Sequence, residues 1–263
     1  MSKIIPIHRI ICPVLLYIVV GVGYSYAQGL KIDGATFIAQ DKLGFTYVVT
    51  GDRVAKYDRQ LIEVAKYTSS FGRIESVDAS DPFKILLFCK DFLRVVLLDN
   101  KLATLGNPIF LPDVNSLMPG MVCRSGENGM WIADMYKQQL LYVDFTLNTT
   151  REMAMLNTHI PQEAPVYGVE RNGKLFINYS NNSIAVFDKF GSLLQLLTIK
   201  AEKWFEVLDN KIYYLSSGQL YVQDMLPFGE PTSVAENVEV CAIIGKEQGI
   251  IYGKKSLRKI PLK

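Results

Sequence analysis

The sequence predicts an all-β fold, a β-propeller built of four-stranded antiparallel blades. Three observations predict it. A hairpin of two apolar strands around a short polar turn appears six times along the chain. Five copies close on an aspartate, Asp58, Asp99, Asp144, Asp188 and Asp224, spaced 41, 45, 44 and 36 residues apart. Weaker strand candidates lie between the hairpins and complete each unit. A repeat near 40 residues with four strands per unit is the signature of a propeller blade. Six blades fit these spacings best, and five to seven are compatible with them.

The chain opens on a segment of another kind. Lys3 and Arg9 are followed by an almost wholly apolar stretch over residues 10–23, then by Ser25-Tyr26-Ala27. That is the three-part pattern of a secretory signal peptide, cleaved after Ala27. The apolar stretch is short for a bilayer span, which takes about 20 residues. Cys12 would leave with it. The expected organisation is residues 1–27 as signal and 28–263 as a single propeller domain, a length that suits one all-β unit. The whole chain carries 28 basic and 26 acidic side chains. Removing Lys3 and Arg9 leaves 26 of each, so the exported protein is neutral. A neutral chain is a poor nucleic-acid binder and a poor polybasic membrane binder.

The hairpins follow in order. Residues 30–41, "LKIDGATFIAQD", are free to add a strand to the last blade and close the ring. Closure removes the unpaired edges of an open stack. "FTYVVTGDRVAKYD" (45–58) is the first hairpin, with "LIEVAKY" (61–67) as a further strand. In "SVDASDPFKILLFCKDFLRVVLLDN" (76–100), two short apolar runs flank Lys90-Asp91, so the stretch reads as strand, turn, strand and not as a membrane span. "GMWIADMYKQQLLYVD" (129–144), "GKLFINYSNNSIAVFD" (173–188) and "NKIYYLSSGQLYVQD" (210–224) repeat the design, and "GIIYGKKSLRKIPL" (249–262) is a worn copy. "LLQLLTI" (193–199) and "AENVEVCAII" (235–244) supply remaining strands. The aspartates have a structural role in this reading, accepting backbone N–H groups in the turn after each second strand. Three continue as D-x-x-L, and the fourth as "DKFGSL", where Gly191 can take a positive φ.

A catalytic set is not visible. His159, in "NTHIPQEAP", is the one histidine beyond residue 27 and has no partner in sequence. One histidine cannot make a multi-histidine zinc site. No nucleophile elbow, phosphate loop, dinucleotide fingerprint or calcium loop is present. No cofactor is therefore expected, and the protein is read as a non-enzymatic scaffold. Some six-bladed propellers are calcium-dependent lactonases with Glu, Asn and Asp at the centre. Glu75, Asn115, Asn178 and Asp209 are the residues of those types at hand, though no spacing selects them. A metal-dependent hydrolase is thus one alternative. A small-molecule or glycan binder is another, with Trp131 and Trp204 as stacking platforms, although core packing suits both better. Cys89, Cys123 and Cys241 are an odd number in apolar surroundings and read as buried thiols, with one disulfide plus a leftover thiol as the alternative.

Three loops are candidate contact surfaces. Residues 106–121 offer Leu117 and Met118, residues 224–231 offer Leu226 and Phe228, and residues 157–168 hold His159.

The 76–100 stretch, with "RVAKYDRQL" before it and "ADMYKQQLLYVD" and "VFDKFG" after it, resembles a propeller family exported by Bacteroidota. The likeness covers most of the chain after residue 27. Outside 76–100 its blade sequences are similar to NHL- and YncE-like propellers. The resemblance implies a protein of the periplasm, associated with the outer membrane, that plugs the periplasmic end of a type 9 secretion barrel.

Overall fold

In a computed structural model, the chain is described over residues 29–262, apart from 149, 156–162, 182, 244 and 246–247. Residues 1–27 and His159 lie outside the described residues. The chain forms six four-stranded antiparallel blades arranged as a propeller. Blade 1 holds β2 (Phe37–Gln40), β3 (Thr46–Thr50), β4 (Arg53–Tyr57) and β5 (Glu63–Thr68). Blade 2 holds β6 (Ser76–Asp78), β7 (Ile85–Cys89), β8 (Arg94–Leu98) and β9 (Ile109–Phe110). Blade 3 holds β10 (Pro119–Ser125), β11 (Gly129–Asp134), β12 (Gln139–Asp144) and β13 (Thr150–Met155). Blade 4 holds β14 (Pro165–Arg171), β15 (Lys174–Tyr179), β16 (Ser183–Phe187) and β17 (Leu193–Thr198). Blade 5 holds β18 (Phe205–Leu208), β19 (Lys211–Ser216), β20 (Gln219–Asp224) and β21 (Thr232–Glu236). Blade 6 holds β22 (Val240–Ile243), β23 (Gln248–Gly253) and β24 (Ser256–Pro261), completed by β1 (Leu30–Lys31).

Ring closure differs in detail from the sequence expectation. Only β1, the first part of residues 30–41, joins the last blade, with Leu30 opposite Leu257 and Lys31 opposite Ser256. The second part turns inward as β2, the first strand of blade 1. Residues 235–244 are likewise not one strand. They end β21, turn through Asn237 at φ 56°, and begin β22 in the next blade.

The apolar runs have a packing cause. Each blade is covered on both faces by its neighbours, so both sets of alternating side chains are buried. In β7, Ile85, Leu87 and Cys89 join a cluster with blades 1, 5 and 6, while Leu86 and Phe88 join a cluster with blade 3. In β11, Met130 and Ile132 pack toward blade 2 and Trp131 and Ala133 toward blade 4. The three cysteines are buried free thiols within these layers. Burial raises the Cys123 and Cys241 thiols well above their ordinary value.

Four of the aspartate turns share one geometry. Asp58 Oδ1 accepts the N–H groups of Gln60 and Ile62 at 2.8 and 2.9 Å. Asp99 does the same with Lys101 and Ala103, Asp144 with Thr146 and Asn148, and Asp188 with Phe190 and Ser192. The third residue after each aspartate is left-handed: Leu61 (φ 62°), Leu102 (63°), Leu147 (61°) and Gly191 (79°). Asp41 repeats the arrangement inside blade 1, with Leu43 and Phe45 as donors and Gly44 at φ 87°. The turn after Asp224 is built another way. There Gly229 N–H donates to the Asp224 carbonyl and Met225 bridges Phe228.

A leucine in the left-handed region carries about 1–2 kcal/mol of strain that glycine avoids. Leu102 repays this by burial, but Leu147 is 46% exposed. Leu147→Gly is expected to stabilise the fold by about 1 kcal/mol after the added chain entropy, a rise of about 2–4 °C in Tm. Asp144→Ala is expected to lower stability by about 1 kcal/mol. Thermal unfolding of the two variants checks both signs.

Candidate functional site

The registers assign every connection to one of two faces. In blade 1, Gln40 opposes Thr46, Thr46 opposes Tyr57, and Tyr57 opposes Glu63. The first and third connections of a blade therefore emerge at one end. We call that end the turn face. The other end, where the chain leads into each innermost strand, is the loop face.

The axis is where a propeller usually offers a ligand site, and here it is filled. The innermost strands are β2, β6, β10, β14, β18 and β22, since these touch from blade to blade. Tyr167 of blade 4 reaches across to Phe37 of blade 1, ring centroids 5.8 Å apart, and packs on Phe205 of blade 5 at 5.4 Å. Blades 1 and 4 stand opposite in a six-membered ring, so the tyrosine spans the axis. A second diameter is bridged at the loop face. Lys203, leading into β18, donates to Glu75, leading into β6, at 2.6 Å. Burial alone would raise the Glu75 carboxyl, but Lys203, Lys90 and Arg73 bring it below its ordinary value. Asn178 fixes the lysine's backbone, its amide donating to the carbonyls of Ala201 and Lys203 at 3.1 and 2.9 Å.

What remains on the axis is a cavity of about 30 Å³ lined by all six blades. Ligand pockets run to about 300–1,000 Å³, so this one has room for water alone. Trp204 lines it and is buried, as is Trp131, whose Nε1 donates to Glu170 at 2.6 Å. Neither indole offers an open stacking platform.

A charged hub lies at the turn-face end of the axis. The Arg171 guanidinium makes a two-pronged bond to Glu206, Nε to Oε1 at 2.7 Å and Nη2 to Oε2 at 2.6 Å. Its Nη1 donates to the Glu170 carbonyl, and Val207 N–H donates to Glu206. Burial works against the Arg171 charge, but Glu206 more than offsets it and holds the guanidinium above its ordinary range. The pair borders an open depression of about 340 Å³, with Glu170, Asn172 and Asp209 on its rim. Glu170 ties blade 3 to blade 4, accepting from Ser125 Oγ and Gly126 N–H as well as Trp131.

The four loop residues taken together in the sequence are not one patch. Leu117 and Met118 sit on the loop face, leading into β10, whereas Leu226 and Phe228 sit on the turn face between β20 and β21. The first pair is held rigidly. Asp134, buried at the end of β11, accepts Ser116 Oγ at 2.7 Å and the N–H groups of Met118 and Lys137 at 2.9 Å. Burial alone would raise the Asp134 carboxyl; these donors and Leu117 N–H bring it below its ordinary value. Within residues 106–121, Leu111 and Val114 tuck under the blade in a short 3-10 turn, leaving Leu117 and Met118 exposed.

Among the described residues, exposed apolar tips are more numerous on the turn face. Leu43 and Ile62 of blade 1, Phe83 of blade 2, Leu147 of blade 3, Phe190 of blade 4, and Leu226 and Phe228 of blade 5 all emerge there. The loop face exposes Phe92, Leu117, Met118 and Tyr136. The turn face thus has a polar hub inside a broken apolar rim. Sequence reasoning missed the rim because it needs a face assignment for each turn; the signal was the apolar residue inside each aspartate turn.

Glu75, Asn115, Asn178 and Asp209 do not form a common site. Glu75 pairs with Lys203, Asn115 donates to Glu152, Asn178 holds the backbone at 201–203, and Asp209 borders the hub. Among the described residues no three His, Cys, Asp or Glu stand close enough to hold a metal. No helix there is long and apolar enough to cross a membrane.

By sequence, no family description and no curated protein matches the chain. Solved structures match its fold. A streptogramin B lyase is similar at 12% identity and a TM-score of 0.63, over 89% of this chain and 95% of that one. An auxiliary nutrient-binding protein from Bacteroides thetaiotaomicron is similar at 12% identity and a TM-score of 0.62, over 88% of this chain and 69% of that one. PorZ, a surface component of the type 9 secretion system of Porphyromonas gingivalis, is similar at 10% identity and a TM-score of 0.54, over 90% of this chain and 38% of that one. At these identities the likeness is one of fold.

Removing one member of the hub pair strands a buried charge. Arg171→Met is expected to cost about 3–5 kcal/mol, and adding Glu206→Leu to recover most of that loss. A double-variant cycle by chemical denaturation checks it: no recovery in the double variant would mean that the pair is not what holds the hub.

Proposed function

We propose that the chain is an exported, non-enzymatic propeller that binds a protein through its turn face. The partner in this reading is the periplasmic end of an outer-membrane barrel of the type 9 secretion system, and the protein serves there as plug or adaptor. One observation carries the reading: exposed apolar side chains ring the turn face in five of the six blades, around a polar hub. Single exposed apolar residues are ordinary, but a set gathered on one face marks a contact surface. An apolar rim around a polar hub suits a partner whose own contact surface is a ring, such as the mouth of a barrel. The filled axis supports the same reading, because little room is left in the ring for a metabolite. The resemblance of residues 76–100 and the neighbour that belongs to the type 9 system point to the same envelope machinery. Export by residues 1–27 and a periplasmic location belong to this proposal.

The depression of about 340 Å³ at the hub favours a second reading, a small polar ligand held by Arg171 and the surrounding carboxylates. The two readings separate experimentally. Affinity capture from detergent-solubilised envelopes should recover a large outer-membrane barrel in near-equal amount. Phe190→Asp combined with Leu226→Asp should abolish that recovery, while Leu117→Asp combined with Met118→Asp should leave it. Empty capture, together with a thermal shift on adding a polar metabolite, would transfer the function to the hub.

A further inference from the structure

We infer that the hub at the turn-face end of the axis binds a primary ammonium group carried on an alkyl stem. The inference rests on the reading of the hub depression as a ligand site and names the class of ligand. Two adjoining spaces make the site. The axial cavity of about 30 Å³ and the open depression of about 340 Å³ share Ser80, Arg171, Glu206 and Ile243 in their walls. Gln40, at the end of β2, lines the cavity, and its Oε1 is shut off from solvent without a hydrogen-bond partner. A buried acceptor without a donor is destabilising and uncommon in folded proteins. The position therefore suits a ligand that donates.

Charge sets the sign of that donor. Around the two spaces stand the carboxylates of Asp78, Glu170, Glu206 and Asp209, with Arg171 as the one cation. Arg171 already donates to both Glu206 oxygens and to the Glu170 carbonyl. The donors to Asp78 are the N–H groups of Ser80 and Arg124, and those to Glu170 are Ser125 Oγ, Gly126 N–H and Trp131 Nε1. These are neutral groups, so the site as a whole is negative. Among the described residues no three carboxylates stand close enough to hold a bare metal ion. A larger, organic cation can reach them separately. Size then selects its head. A cavity with room for a water-sized group admits –NH3+, whose three donors suit one amide oxygen and the neighbouring carboxylates. A planar guanidinium is too broad for it. Leu208 and Ile243 in the wall of the depression offer an apolar surface for the stem.

Titration of the isotope-labelled protein with n-butylammonium, followed by NMR, tests the inference. The amide signals of Arg171, Asn172 and Val207 should shift and saturate with a Kd on the order of 1 mM. n-Butanol, with the same stem and no charge, and n-butylguanidinium should each bind about tenfold more weakly, and butyrate should not bind. Gln40→Met keeps the length of the side chain and removes the orphaned acceptor. It should weaken n-butylammonium about tenfold and leave Tm equal or higher. Asp209→Asn, on the exposed rim, should weaken it about twofold. The two sources of such a group separate in the same assay. Tighter binding of Nα-acetyl-lysine N-methylamide assigns the site to a lysine of a protein partner, and tighter binding of cadaverine to a free polyamine. Binding of n-butanol or n-butylguanidinium as tight as n-butylammonium, or an affinity unchanged in both Gln40→Met and Asp209→Asn, would overturn the inference. Shifts at the same amides from butyrate or glucose but not from n-butylammonium would overturn it and leave the hub a ligand site. No shift from any of these probes would overturn both.

Discussion

A β-sheet with apolar side chains on both faces must be covered on both faces. This constraint governs the rest of the structure. A single blade here cannot meet it, and neither can a row of blades, because the end blades would each leave a face bare. Six blades in a ring meet it completely. The closing step is small: Leu30 and Lys31 pair with Leu257 and Ser256, so blade 6 is completed by the start of the chain. A Cβ at Gly29 would meet Ser256 Oγ and the Leu257 carbonyl, so the closing strand approaches through a residue without a side chain. Closure then brings six innermost strands together on one axis, and their side chains must share a narrow space. Tyr167, Phe37 and Phe205 occupy it from blades 4, 1 and 5, and the Glu75–Lys203 pair seals the loop-face end between blades 2 and 5.

Filling the axis shifts where the molecule can act. With both blade faces and the centre occupied, the accessible surfaces are the connections and the outermost strands. Five connections of the turn face, the third in blades 1 to 4 and the first in blade 1, are rigid because an aspartate there gives one carboxylate oxygen to two backbone N–H groups. That geometry projects the residues two to four places on, and several of these are apolar: Ile62, Leu147 and Phe190. The same device thus shapes the turn and presents the contact side chain. A rigid disc with a preformed rim loses little entropy on docking, which favours a protein-binding role over one that depends on loop closure.

Much of the fold was legible because double-sided burial leaves a strong mark. Runs such as Ile85–Cys89 have no polar alternation, and a short polar turn separates each run from the next. The aspartates were legible as turn residues through their spacing, and Leu61, Leu102 and Leu147 mark the left-handed position that Gly191 occupies in blade 4. Other features depend on distance in sequence. Tyr167 reads as an ordinary strand tyrosine until the ring sets it against Phe37, and nothing local pairs Glu75 with a lysine 128 residues away. The strand over 235–244 read as continuous because Asn237 adopts a conformation that asparagine tolerates without announcing a turn. Leu117 and Met118 looked equivalent to Leu226 and Phe228 because all four lie in Pro-containing loops. Their faces differ by strand count alone, which a blade must be assembled to reveal.

In the proposed role the turn face meets a barrel. Residue-specific photo-crosslinking in intact cells tests it most directly, with the photoreactive side chain placed at Phe190 on the turn face and at Met118 on the loop face. The account predicts a high-mass adduct with an outer-membrane barrel from position 190 and none from position 118. Adducts from position 118 alone, or none from either while the protein is present at its normal level, would contradict it.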